Sequence, residues 1–308
     1  MINALHMKNL FLTSLVLTFL ISCSHPKETD KLSVARGEIT VAVDESFRPI
    51  AEAEIGAYQA HYPEAKFNVQ YLPEQKAVNY MLSDSAELIM ISRELSSEEQ
   101  KYYTQRNREY HPAIMALDAV TLIANKESDL SSISIEEIEA ILKGKESNLK
   151  LIFDNSSSSN LNMMLSKFDI KDINKSNIFA TNGTLEVFEQ VQKNKNAIGL
   201  IGLNWISDED DKKSMNLKNQ IKILGINTTT SEKPVYPTLS TIKSQEYPFV
   251  KIIYLHTTQN GWGVAMGFIR FACTQIGQLV VEKMGLQPFY LIPKNYQLTS
   301  SDPFEVVE

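Results

Sequence analysis

Four short stretches carry the polar groups that could do chemistry. They are DESFRP (Asp44 to Pro49), LPEQK (Leu72 to Lys76), SREL (Ser92 to Leu95) and DNSSSS (Asp154 to Ser159). Each follows an apolar, β-rich run and precedes a helical pattern. At such a junction the first N–H groups of the helix lack partners, and the helix dipole favours negative charge. Hydroxyls, amides and a guanidinium gathered there suit a small anion. Ser, Asp and Asn are also ordinary helix caps. One cap would satisfy the helix after Phe153, whereas Ser156 to Ser159 exceed that need. The candidate ligand residues are Ser46, Phe47, Gln75, Ser92, Arg93, Asp154, Ser156, Ser157 and Ser158.

The elements that must position them alternate. EITVAV, KFNVQY and ELIMIS read as strands. Pro49–Tyr62 and Glu74–Leu82 read as helices between them, and Ser96 with Glu99 forms a capping box for a third. HPAIMALDAVTLIANK is a long β-rich stretch. Ser134 and Glu137 cap a helix over Ile135–Leu142, and Gly144 can close it. LKLIF is a strand, Leu161–Phe168 and Thr184–Lys193 are helices, and AIGLIG and IKILGI are buried strands. A final strand, YPFVKIIYLHT, leads into two closing helical runs, GWGVAMGFIRFACT and IGQLVVEKMG. Strand–helix repeats of this kind predict an α/β chain with mostly parallel sheets, whose ligands sit at the carboxyl ends of strands.

The 308 residues, 43% of them hydrophobic, are enough for one large or two medium domains. A net charge of −7 without a basic stripe argues against nucleic acid. The chain has no phosphate loop, GxGxxG, HExxH, CxxC or GxSxG motif. Its histidines lack metal-ligand spacing, so neither a catalytic centre, a metal nor a cofactor is expected.

The N-terminus has a basic head, Lys8, and an apolar run from Leu10 to Ile21, the pattern of a secretory signal. Translation can start at Met1 or at Met7. Leu20-Ile21-Ser22-Cys23 resembles a bacterial lipobox, which implies cleavage before Cys23 and acyl chains (palmitate among them) on that residue. Ser24 to Arg36 then reads as a tether. The other cysteine, Cys273, sits in an apolar helix and is expected to be a small core residue.

The order of these segments resembles the substrate-binding proteins of phosphate ABC transporters, of the type II periplasmic binding protein fold. Ser46-Phe47 matches the family's first-loop Thr/Ser-Phe pair, ELIMISRELS its third strand and loop, and SSSS after FDN its Ser-Gly-Thr loop. NAIGLIGLNW matches its glycine-spaced strand and GFIRFACTQIGQLVVEKMGLQP its closing helices. VDESFRPI and FDNSSSSN are most similar to Bacteroidetes-type lipoproteins.

The resemblance implies two lobes joined by a two-segment hinge near Ala116 and Tyr247. Lobe I would be 38–116 plus 247–308, and lobe II 117–246, after a signal peptide (1–22) and a lipidated tether (23–37). It implies a monomeric, non-enzymatic protein of the cell envelope, lipid-anchored and facing the periplasm, that captures phosphate for an ABC permease. Three positions depart from the pattern. Arg93 stands where the family has the Asp that accepts the proton of hydrogen phosphate. Leu151, Ile152 and Phe153 cover the family's Arg position, and Glu74-Gln75 its second-loop Ser-Gly. These departures leave open a sensor or scaffold lipoprotein that binds another anion or a protein. On the oxyanion reading, Arg93 is the cation expected to grip the ligand.

Overall fold

Strand β1 (Arg36–Asp44) is apolar along its second half and ends in a turn of 3₁₀ helix, Glu45–Phe47, capped by the Asp44 side chain. Pro49 then lies in the first turn of α1 (Arg48–His61), where its missing N–H costs nothing. The computed structural model describes residues 33–171 and 177–290. The signal segment and Cys23 lie outside the described residues.

The unit repeats with β2 (Glu64–Leu72), α2 (Glu74–Leu82) and β3 (Leu88–Ile91). Ser96 and Glu99 do cap one another. Ser96 N donates to Glu99 Oε2 at 2.7 Å, and Glu99 N to Ser96 Oγ at 3.3 Å. The following helix α3 is nevertheless only Lys101–Thr104. The thirteen-residue β4 (Ala113–Asn125) comes next. After it come β5 (Ser132–Ser134), α4 (Ile135–Leu142), β6 (Lys150–Phe153), α5 (Ser159–Lys167), β7 (Ile178–Ala180), α6 (Thr184–Lys193) and β8 (Ala197–Gly202). The remaining elements are α7 (Lys212–Asn219), β9 (Ile221–Ile223), β10 (Gly225–Asn227), α8 (Leu239–Lys243), β11 (Val250–Thr257), α9 (Val264–Ala272), α10 (Gln275–Lys283) and β12 (Gln287–Pro288).

The main sheet runs β2-β1-β3-β11-β4-β8-β6-β7. β1 pairs parallel with β2 and β3, and β6 parallel with β7 and β8, so each end of the sheet is a parallel unit. β4 joins them. Its first half, Ala113 to Ala119, pairs antiparallel with β11, and its second half, Val120 to Ala124, with β8. One strand thus serves two lobes, which is the first crossing of a two-lobed type II periplasmic binding protein fold. The second is the approach to β11, where Val120 N donates to Phe249 O at 2.8 Å and Tyr247 Oη to Val120 O at 2.8 Å. IKILGI is not one strand. β9 pairs with β4 and β10 with β5, because the chain changes sheets at Leu224.

One apolar cluster, from Ile39 and Val41 through Phe47, Leu122 and Leu200 to Phe268, runs through both halves of the sheet. At about 25 cal/mol per Å² of apolar surface, this burial is the main stabilising term. Among the described residues no single helix is long and apolar enough to cross a membrane.

Candidate functional site

The carboxyl ends of β1 and β6 meet. Ser46 Oγ, from the turn after β1, lies 2.8 Å from Ser159 Oγ at the start of α5. Asp44 accepts from Ser46 N at 3.0 Å and, across the crevice, from Ser159 N at 3.2 Å. A carboxylate of one lobe therefore occupies the first turn of the other lobe's helix, where a bound anion would gain from the dipole.

Glu45 repeats the arrangement at α6, accepting from Thr184 N at 3.2 Å and Thr184 Oγ1 at 2.8 Å. Glu74 also reaches across, but to a side chain, accepting from Asn162 Nδ2 at 3.1 Å, and from Ser92 N and Oγ on its own side. All three contacts run from acids beside the β1–β3 unit of the sheet to donors on the helices of the β6–β8 unit.

The cation at the centre is Lys251. It is 3% exposed, and β11 puts it on the same face as buried Ile253 and Leu255. Its ammonium donates to Ser46 Oγ (3.2 Å), Ser159 Oγ (3.0 Å) and Asn160 Oδ1 (2.6 Å), and lies 4.4 Å from the centre of the Phe47 ring. These bonds tie both lobes to one charge, and the ring face adds a cation–π contact.

Around Lys251 stand Asp44, Asp118 and Asp154, each fully buried. Burial pushes the Asp44 carboxyl up to about 7, with the charges of Glu74 and Asp154 adding to it and Lys251 opposing. Burial raises Asp154 to about 6, helped by the charge of Glu45, and it also raises Asp118 and Glu45. Asp118 accepts from Asn204 N (3.2 Å) and Nδ2 (2.9 Å). Asn204 Nδ2 and Trp205 Nε1 in turn donate to Ser46 O at 2.8 and 3.0 Å, fixing the first loop. The crevice is thus rich in acceptors that hold protons more tightly than ordinary carboxylates, around one fixed ammonium.

The expected residues fall into groups. Ser46 and Phe47 are buried at the centre. Asp154 is buried behind them, and Ser158 caps α5 by accepting from Leu161 N at 3.3 Å. Ser157 bonds to Asn155 Oδ1, and Ser156 is exposed. Ser92 is held by Glu74. Arg93 is at the rim in a two-pronged pair with Glu99 (2.7 and 2.9 Å), with Gln75 Oε1 at 3.1 Å and Glu74 Oε2 at 3.8 Å. These bonds hold Glu99 down at about 2. Arg93 and Ser157 do not share a partner.

The residues not anticipated are Asp44, Glu45, Lys251, Asn160, Asn204 and Asp118. Lys251 left no readable trace in the sequence. In VKIIYLHT both alternating faces are apolar, Val250, Ile252 and Tyr254 on one and Ile253 and Leu255 on the other, so only the structure shows that the lysine points inward.

A two-lobed α/β fold whose halves meet in a closed polar seam at the carboxyl ends of the strands defines a class, the type II periplasmic binding protein fold. Sequence comparison agrees. The model of the PBP superfamily domain matches residues 29–275, and the chain belongs to that family. It is 22% identical over 262 residues to the phosphate-binding protein PstS of Staphylococcus aureus strain USA300, covering 80% of this chain and 77% of that one. A putative phosphate ABC transporter substrate-binding protein of Clostridium perfringens, solved with bound phosphate, is similar in structure. Its TM-score is 0.69 at 18% identity, over 82% of this chain and 100% of that one. An ABC-type phosphate transport receptor of Vibrio cholerae gives 0.61 at 18% identity, with the same coverage.

Proposed function

We propose that this chain is a lipid-anchored solute-binding protein that captures phosphate in the crevice between its lobes and delivers it to an ABC permease. In this reading the anchor is Cys23, the protein faces the periplasm, and it performs no catalysis. Lobe I comprises 38–116 and 247–308, and lobe II 117–246.

The observation that supports this best is the Lys251 ammonium, held by hydroxyls of both lobes inside a ring of proton-retaining carboxylates. The ammonium and the hydroxyls suit oxyanion oxygens. Once ionised, Asp44 and Asp154 accept from an oxyanion that still carries a proton to donate. Phosphate does at neutral pH and sulfate does not, so the acceptors select between them. With Ser46 and Ser159 in direct contact, a ligand enters only when the lobes part. Phe47 and Asp154 form the floor, and Ser158 steadies the helix end. Ser92, Gln75 and Arg93 form the rim, with Ser156 and Ser157 at the mouth.

The similarity to phosphate-binding relatives points the same way. One observation favours a second reading, a sensor or scaffold of the same fold. Asp44, Glu45 and Glu74 already occupy lobe II donors, so closure does not need a ligand. Isothermal calorimetry on the chain from Ser24 onward decides between the two. Phosphate heat at about pH 8, where Asp44 has given up its proton and phosphate still carries one, without sulfate heat, supports capture. Absence of phosphate heat, with a folded protein, leaves the sensor or scaffold.

A further inference from the structure

Away from the crevice, lobe I carries an apolar patch that ligand binding leaves unexplained. Trp262, just before α9, is 59% exposed, and Ile276 and Leu279 on α10 are 42% and 47% exposed. Arg270 lies over the Trp262 indole at 5.6 Å. Helices α9 and α10 are together apolar, bent by 62°, and leave these side chains uncovered.

The same depression is lined by Val34, at the beginning of the described chain. Val34 O accepts from Tyr58 Oη at 2.5 Å, which pins the chain's entry there. Nine residues lie between Cys23 and Ser33, so ten steps of chain span at most about 35 Å. If Cys23 is acylated, the patch is therefore never far from the bilayer that holds those acyl chains.

We infer that this patch rests on the interfacial zone of that phospholipid bilayer, with Trp262, Ile276 and Leu279 at the headgroup boundary and Arg270 toward the phosphates. The chemistry fits. An indole with an adjacent guanidinium is amphipathic, and tryptophan collects at membrane interfaces. The patch lies at the amino end of β1 and the crevice at its carboxyl end, about 30 Å apart along nine residues. Seated in this way, the crevice opens toward solute for loading, and the body lifts from this seat to deliver its ligand to the permease.

The inference rests on the anchored reading above, and its test separates the two. The mature chain is reconstituted into vesicles of phosphatidylethanolamine and phosphatidylglycerol, with and without bromine on the acyl chains. Mass spectrometry of the N-terminal peptide reports acylation of Cys23. In parallel, a chain from Ser24 with an amino-terminal histidine tag is held on nickel-chelating lipid, which supplies a tether whether or not Cys23 is acylated. The signal is the emission that Trp262→Phe removes, since Trp205 is buried. In both formats it should shift to the blue and be quenched by bromine. Ile276→Ser with Leu279→Ser should abolish the quenching while the protein stays folded by circular dichroism. Emission from Trp262 that ignores bromine in the tethered format overturns the inference. So does a concentration-dependent dimer that buries Trp262, which would assign the patch to a second copy. Unmodified Cys23 with quenching retained on nickel lipid would sink only the anchor.

Discussion

At the scale of single residues, two buried charges carry opposite consequences. Lys251 is paired on every side that matters, so its removal strands the carboxylates around it. Lys251→Met should lower phosphate affinity about 100-fold, the loss of two or more charge-assisted bonds. Arg93→Ala should cost about tenfold, because that guanidinium is already committed to Glu99 at the rim. Calorimetry of the two variants ranks them, and a larger loss at Arg93 would move the seat of the ligand to the rim. Glu54 is the contrary case. It lies on the buried stripe of α1 with Ile50 and Tyr58, and neither carboxyl oxygen has a partner among the described residues. Burial pushes it up to about 9. Glu54→Met should therefore stabilise the fold by about 1–3 kcal/mol in urea unfolding, the usual cost of an unsatisfied buried polar group. The sign with pH follows from proton counting. Between 4.5 and about 9 the folded chain keeps a proton that the unfolded chain has lost, so wild-type stability falls as pH rises through that window. The advantage of Glu54→Met should grow from pH 5 to pH 9 (about the span of that window), and a constant difference would refute the assignment.

At the scale of elements, the Ser96–Glu99 turn shows how a cap is reused. Glu99 closes the turn and grips Arg93 with the same carboxylate. Glu99→Ala should destabilise the third loop by about 1 kcal/mol, a figure reduced for solvent screening because the pair is partly exposed. With its folded pKa depressed to about 2, Glu99 stabilises fully above its ordinary 4.5 and loses that contribution as pH falls toward 2. Hydrogen exchange of residues 92–100 in the variant would show it. Such local devices explain what could be read from the sequence. Glu74–Leu82, Ile135–Leu142 and Thr184–Lys193 are helices over those same residues, since each combines an apolar stripe with a definite start. The serine run is split by something the sequence does not display. Ser158 and Ser159 are buried because α5 begins there, while Ser156 stays in solvent in the turn that precedes the cap. IKILGI breaks in two because tertiary pairing, not propensity, decides which sheet each half joins. Lys251 stayed hidden for the same reason. Its partners Ser46, Ser159 and Asn160 lie 205, 92 and 91 positions away, and only the closed chain brings them together.

At the scale of the whole molecule, closure of the lobes is itself a proton-binding event. Closing buries Asp44 against Ser159 N and brings it near Glu74 and Asp154, where its carboxyl holds a proton up to about 7. In an open molecule the same carboxyl would face water and titrate near its ordinary 3.8. Between those values the closed form holds a proton that the open form has released, so the closed fraction must fall as pH rises through that window. Asp154, raised to about 6, adds to the effect over the lower part of the range. Small-angle scattering of the ligand-free chain should therefore report a more compact molecule at pH 5 than at pH 8 (about two units below and one above Asp44). Phosphate complicates the profile in a useful way, because it can supply the shared proton to Asp44 from the ligand side. Its presence should flatten the dependence, holding the lobes together at pH 8 where the empty molecule opens. Asp44→Asn carries no titrating group and should remove most of the pH dependence without ligand. If Asp44→Asn and wild type open along the same pH curve, the carboxylates across the crevice do not govern closure, and the lobes are held by apolar contact alone.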